Sequence, residues 1–216
     1  MIDIGKIAID PRISGLEPID FAAEFANANP VVLEIGSGKG RFLLETAREH
    51  PEWNFVGIEK SLHYHRVIAR RLAQAGLGNI RVINHDAFAV LEKMVTSESI
   101  DQVHIYFPDP WPRPRERKRR MIRSEVTREL ERVMKQDARG LFVTDHKEYF
   151  AKAIPVLKET FEVVSRMASD HLPRTNYEAK YREQGREIYE AEFVRRKGGQ
   201  WPVVSGRLSV DDGSPT

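Results

Sequence analysis

The sequence predicts an α/β fold, a mostly parallel central sheet with helices on both faces. Three observations predict it: short, near-continuous apolar runs recur along the chain, amphipathic segments lie between them, and acidic or glycine-rich turns follow the runs. Strands are predicted for Val31 to Gly36, Trp53 to Glu59, Ile80 to Asn84, Ile100 to Phe107, Gly140 to His146 and Phe161 to Ser165. Runs such as VVLEIG are too continuously apolar for strands with one face in water. Helices are predicted for Arg41 to Glu49, Leu62 to Ala75 and Ser124 to Lys135, where apolar residues return every third or fourth position. Ligands of such sheets bind beyond the carboxyl ends of the strands, where the strand order reverses. The residues just after each strand therefore carry the functional reading.

A chain of 216 residues with 41% apolar content can bury one sizeable core. One domain is expected over residues 1–197, with 1–30 as a lead-in and 198–216 as a loosely ordered tail. The opening MIDIGKIAID lacks the basic start and apolar stretch of a signal peptide, and no run of about 18 uncharged apolar residues exists. A soluble, cytoplasmic protein without membrane contact is expected. The absence of cysteine excludes disulfides, thiolate metal sites and cysteine nucleophiles, including the covalent route to methylation at carbon 5 of pyrimidines. Histidines show no ligand spacing beyond His63-x-His65, which on a helix would face different sides, so no metal is expected. The formal charge of +2 hides a local patch: Arg113, Arg115, Arg117, Lys118, Arg119, Arg120 and Arg123 stand against Glu116 alone, and the remainder of the chain is net acidic. Such a patch suits a phosphate backbone; a solvated charge run is the competing reading.

The first strand ends in Glu34-Ile-Gly36-Ser-Gly38-Lys-Gly40 and leads into a helix. Glycines there permit a tight turn and close approach of a nucleotide-like ligand. A dinucleotide fingerprint would need a small residue where Arg41 stands, and the Gly-Lys-Ser/Thr ending of a phosphate-binding loop is missing. The E-x-G-x-G-x-G pattern instead resembles motif I of class I S-adenosylmethionine-dependent methyltransferases, which have a Rossmann-like fold. Glu59 closes the second strand nineteen residues after Gly40, where an acid can accept hydrogen bonds from a ribose diol. His85-Asp86-Ala87 follows the third strand, and Asp86 could equally cap the next helix. Asp109 follows the fourth strand between Pro108 and Pro110, which restrict the turn.

The run Phe107 to Trp111, continuing into Arg119-Arg120, resembles the bacterial tRNA (guanine-N7)-methyltransferase family, the TrmB type. The likeness extends from about Val31 to Arg196 and includes Val143-Thr144-Asp145 and Thr175-Asn176-Tyr177-Glu178. It implies transfer of a methyl group from S-adenosylmethionine to N7 of guanosine 46 in the variable loop of tRNA, by a monomer or homodimer. It also implies that Glu34, Gly36, Gly38, Gly40, Glu59, Asp86, Ala87 and Asp109 hold the cofactor, with Asp109 catalytic as well. By the same resemblance Arg113, Asp145, Thr175, Asn176, Tyr177 and Glu178 meet the substrate, and Arg115, Arg117, Lys118, Arg119 and Arg120 contact RNA. Two positions depart from the family: Arg113 replaces a usual Lys, which turns a point donor into a planar fork, and Glu116-Arg117 replaces His-Asn.

Guanine N7 presents an in-plane lone pair, so its attack on a sulfonium methyl requires no prior deprotonation, and the thioether leaving group requires no acid. Catalysis then reduces to alignment and electrostatics, with Asp109 holding the base or offsetting the cationic product. A carboxylate can read the N1–H and exocyclic amine of guanine together, for which Glu178 is the first candidate and Asp145 the second. T-x-x-E is also a capping box, and the two roles can coexist. Trp111 has two readings, stacking on the base or packing on the sheet. Two other functions compete, methylation of an exocyclic amine and non-catalytic RNA binding. The first lacks consecutive prolines after Asp109, and the second does not explain the retained strand-end acids.

Overall fold

The computed structural model describes residues 7–167 and 175–195. In chain order these are β1 (Ala8–Ile9), α1 (Pro11–Ser14), α2 (Phe21–Phe25), β2 (Val31–Ile35), α3 (Arg41–Glu49), β3 (Asn54–Ile58), α4 (Leu62–Ala75), β4 (Ile80–Ile83), α5 (Ala87–Lys93) and β5 (Ile100–Tyr106). A 3-10 helix (Pro114–Arg119) follows, then α6 (Ser124–Val133), β6 (Met134–Thr144), α7 (Lys147–Thr160), β7 (Phe161–Met167), α8 (Asn176–Glu183) and β8 (Tyr189–Arg195). The strands form one sheet in the order β1-β4-β3-β2-β5-β6-β8-β7. β1 to β6 are mutually parallel, while β8 runs antiparallel to both β6 and β7. The order reverses between β2 and β5, so a crevice opens at their carboxyl ends.

Alternation along the strands divides the core. Val31, Leu33 and Ile35 pack on the side of α5, α6 and α7, and Val32 packs on the side of α3 and α4. Glu34 shares the face of Val32, which puts its carboxyl under the turn that begins α3. Helix boundaries follow local chemistry: Ser61 caps α4 through its Oγ to the Tyr64 N–H, and Gly76 ends that helix in the left-handed conformation.

The expected helices over Arg41 to Glu49 and Leu62 to Ala75 match the observed spans. That over Ser124 to Lys135 stops at Val133, because Met134 already pairs with Ile100 in the sheet. The register with β5 then shifts between Ile100 and Gln102, and the polar residues Gln136 and Asp137 are exposed there, which is why this half of β6 reads as non-strand. Inside the 1–30 lead-in, β1 adds a parallel edge strand beside β4. β8 was not among the expected strands, although Tyr189-Glu190-Ala191-Glu192-Phe193 alternates apolar and polar residues as a strand does, and it lies between two strands. Gly140 makes room for it: a Cβ there would fall 2.0 Å from the Phe193 ring. The tail 198–216 lies outside the described residues.

Candidate active site

The turn after β2 is built from left-handed glycines, Gly36, Gly38 and Gly40, with φ of 80°, 52° and 70°. Gly40 has a second constraint, since a Cβ there would lie 2.3 Å from Ile68 of α4. The turn is held by Gly36 and Ser37 N–H groups donating to the Ile58 carbonyl at 2.8 and 3.1 Å. Beneath it Glu34 is buried, and among the described residues its Oε2 and the Ser37 Oγ have no close hydrogen-bond partner. Burial raises the Glu34 pKa from 4.5 to about 8; the nearby Ser37 hydroxyl works against this, and the Glu59 charge adds to it. Two unpartnered buried acceptors beside a backbone cradle constitute a site that favours a donor-rich or cationic ligand.

Glu59 leaves β3 and accepts from the Gly38 N–H at 2.8 Å through one oxygen and from the Ser61 N–H at 2.7 Å through the other. Each oxygen keeps further lone-pair capacity, which suits a ribose diol. Asp86 caps α5, accepting from the Phe88 and Ala89 N–H groups, and pairs with Lys60 at 3.1 Å. Burial works to raise its pKa, but Lys60 and the two helix donors together hold it below the ordinary carboxylate value. Ala87 is the buried first residue of α5.

At the end of β5, Phe107 and Trp111 adopt φ of 48° and 40°, uncommon for side chains of their size, and bracket Pro108-Asp109-Pro110. The surroundings fix this strained turn from both ends. The Phe107 N–H donates to the Val143 carbonyl at 2.8 Å, and the Arg120 guanidinium donates to the Pro110 carbonyl at 2.8 Å and the Trp111 carbonyl at 3.4 Å. Asp109 is left exposed at the apex. Arg120 separates from the basic run for this reason: it is 5% exposed and lies over the Tyr149 ring at 4.9 Å, so it braces the loop rather than facing solvent as expected for an RNA contact. Arg113, Arg115, Arg117, Lys118 and Arg119 are exposed on and beside the 3-10 helix. Trp111 follows neither of its two readings alone: it is half-buried, with the Arg119 guanidinium 5.0 Å from its ring.

Asp145, after β6, is paired with Arg186 at 2.6 Å, and Arg186 also stacks on Tyr181 at 4.5 Å. Tyr181 meets Phe107 edge-on at 5.3 Å, which links α8 to the Asp109 turn. Thr175 caps α8, its Oγ1 accepting from the Glu178 N–H at 3.0 Å. Glu178, expected to read the base, is 0% exposed and its carboxylate pairs with Arg182 at 2.9 Å, while the cap itself is made by the Thr175 side chain. Asn176 and Tyr177 are exposed, and the Tyr177 ring lies 4.0 Å from where a Gly38 Cβ would stand.

The glycine turn and the start of α8 enclose a cleft lined by Glu34, Gly36 to Phe42, Tyr64, Tyr106, Thr175, Asn176, Tyr177 and Lys180; Glu59, Asp86, Asp109, Asp145 and Glu178 are not among its lining residues. Sequence reasoning passed over Tyr64, Tyr106, Lys180 and Arg186; Tyr106 ends a strand whose apolar pattern absorbs it, and Arg186 carries no local motif. A switch-point crevice with a glycine cradle and acids after successive parallel strands defines the S-adenosylmethionine-dependent methyltransferase fold. Solved structures agree on that fold: the antibiotic-resistance methyltransferase Kmr superposes with a TM-score of 0.61 at 17% identity, covering 83% of this chain and 93% of its own. A 30S ribosomal A1408 methyltransferase from an uncultured bacterium gives 0.59 at 14%, covering 83% and 96%. The methyltransferase family model Methyltransf_4 matches residues 28–191. A tRNA (guanine-N(7)-)-methyltransferase of Nitrosomonas eutropha is 38% identical over 79% of this chain and 77% of its own length. One of Nitrosococcus oceani is 37% identical over 84% and 78%. The chain belongs to the tRNA (guanine-N(7)-)-methyltransferase family.

Proposed function

We propose that this protein methylates N7 of guanosine 46 in the variable loop of tRNA, working in the cytoplasm with S-adenosylmethionine as methyl donor. The carrying observation is the adjacency of two built features: the acid-lined glycine cradle and the strained turn that presents Asp109. Tyr177 lies between them: behind burial and the neighbouring tyrosines, the charges of both Asp109 and Glu59 act to raise its pKa. The residues present fit S-adenosylmethionine: Glu34 would meet its cationic end, Glu59 would accept from the ribose hydroxyls and Asp86 would meet the adenine. When bound it supplies an electrophilic methyl on a sulfonium.

The chain's own residues then have limited tasks. Asp109 holds the guanine or offsets the charge that reaches it, and no residue need remove a proton. Phe107 and Arg120 fix the turn that carries Asp109. Arg113, Arg115, Arg117, Lys118 and Arg119 lie next in the chain, placed to engage phosphates around the target. Asp145 and Glu178 are the acids available to read the base, and each must exchange its arginine partner to do so. The activities named for the relatives support the substrate assignment. Incubation with labelled S-adenosylmethionine and unmodified tRNA, followed by digestion to nucleosides, should place the label in 7-methylguanosine; label in N6-methyladenosine, or none, would sink the reading.

A further inference from the structure

α4 carries a second basic surface, apart from the run that follows Asp109. Its sequence, LHYHRVIARRLAQA, contains no acidic residue. His65, Ile68, Ala69 and Leu72 are buried, which turns the opposite flank to solvent. There His63, Arg66 and Arg70 are exposed and rim a shallow concavity floored by Leu62 and Val67. At 1.5 Å per residue the stripe from His63 to Arg70 is about 10 Å long. Several arginines of the chain are taken up by carboxylates, as Arg41 is by Glu45, Arg81 by Glu24 and Arg132 by Glu129. Among the described residues Arg66 and Arg70 have no such partner.

The stripe is also tied to the cleft. α4 starts just beyond Glu59, Tyr64 of its first turn lines the cleft, and Arg71 donates to the Lys39 carbonyl of the glycine turn at 2.6 Å. It therefore lies on the β3 side. The basic 3-10 helix lies on the other side, with Arg117 3.8 Å from Glu148 at the start of α7, which follows β6. In the sheet order β3-β2-β5-β6 the cleft falls between them.

We propose that the α4 stripe is a second docking surface for the phosphate backbone of RNA, so that a folded RNA straddles the cleft instead of touching only the loop beyond Asp109. This rests on the reading of RNA as substrate. An exposed basic stripe with no internal carboxylates complements a polyanion such as a phosphate backbone. The test is tRNA binding across a salt series by the full chain and by Arg66→Gln/Arg70→Gln. The slope of log affinity against log salt should fall by roughly 2, about one for each lost phosphate contact. Affinity for S-adenosylhomocysteine, measured by calorimetry, should stay unchanged and report an intact fold, and Arg66→Lys/Arg70→Lys should restore the slope. An unchanged slope in a folded Gln variant overturns the proposal. So does loss of binding to anionic vesicles alone, which would assign the stripe to a lipid surface. Methyl transfer by the unaltered protein separates the two readings: transfer to guanine N7 with an unchanged slope removes only the stripe, and no transfer with a reduced slope removes only the substrate assignment.

Discussion

Replacement of Glu34 by Gln tests the electrostatics of the cofactor cradle without any cofactor. The folded protein raises the Glu34 pKa from 4.5 to about 8, mainly by burial. Below 4.5 the carboxyl is protonated in folded and unfolded chains alike. Between 4.5 and about 8 the unfolded chain releases a proton that the folded protein keeps, so stability falls as pH climbs, and the fall ends once both states are ionised. At about 1.36 kcal/mol per pH unit, a climb from roughly pH 5.5 to roughly pH 7.5 removes about 3 kcal/mol through this one group. Urea unfolding of the cofactor-free protein, followed by tryptophan fluorescence at both pH values, gives that loss directly. The Glu34→Gln protein should lose less stability over the same interval, by about 3 kcal/mol, because its amide does not titrate. Equal losses in the two proteins would refute the assignment of a neutral, buried Glu34 to the cradle of the cofactor-free protein.

Asp109→Ala should lower kcat by roughly 10²- to 10³-fold in a methyl-transfer assay while tRNA affinity, read by fluorescence anisotropy, stays nearly unchanged; matching losses in both would make Asp109 structural. Gly40→Ala forces a Cβ into Ile68 at a positive φ, and should cost about 2–5 kcal/mol in denaturant unfolding. A cost below about 1 kcal/mol would show that α4 yields there. Neutralising Arg117, Lys118 and Arg119 together should lower the salt dependence of tRNA binding by up to about 3 in slope. A slope equal to that of the unaltered protein would return the run to a solvated face.

The parallel core was legible because strands buried on both faces write continuous apolar runs, α3 because of its apolar period, and α4 because its caps and period agree. Two strands were not: β1 is two residues long, and the alternation Tyr189-Glu190-Ala191-Glu192-Phe193 of β8 was passed over. Within the site, the strand-end acids could be found because the fold puts ligands where strands stop. What could not be read was the partner each acid already has. The sequence contains no trace of Arg186 reaching Asp145, forty-one residues away, whereas Arg182 pairs with Glu178 at the i,i+4 spacing that a helix over this segment allows. Arg120 looks like any other member of a basic run, and only the backbone strain at Phe107 and Trp111 reveals that the turn needs a brace.

The most direct measurement of the central claim uses a tRNA carrying 7-deazaguanosine at position 46, which deletes the N7 lone pair and leaves the rest of the RNA unchanged. The account predicts normal binding to the protein and methyl transfer reduced to background. Transfer at the rate seen with ordinary tRNA would contradict it.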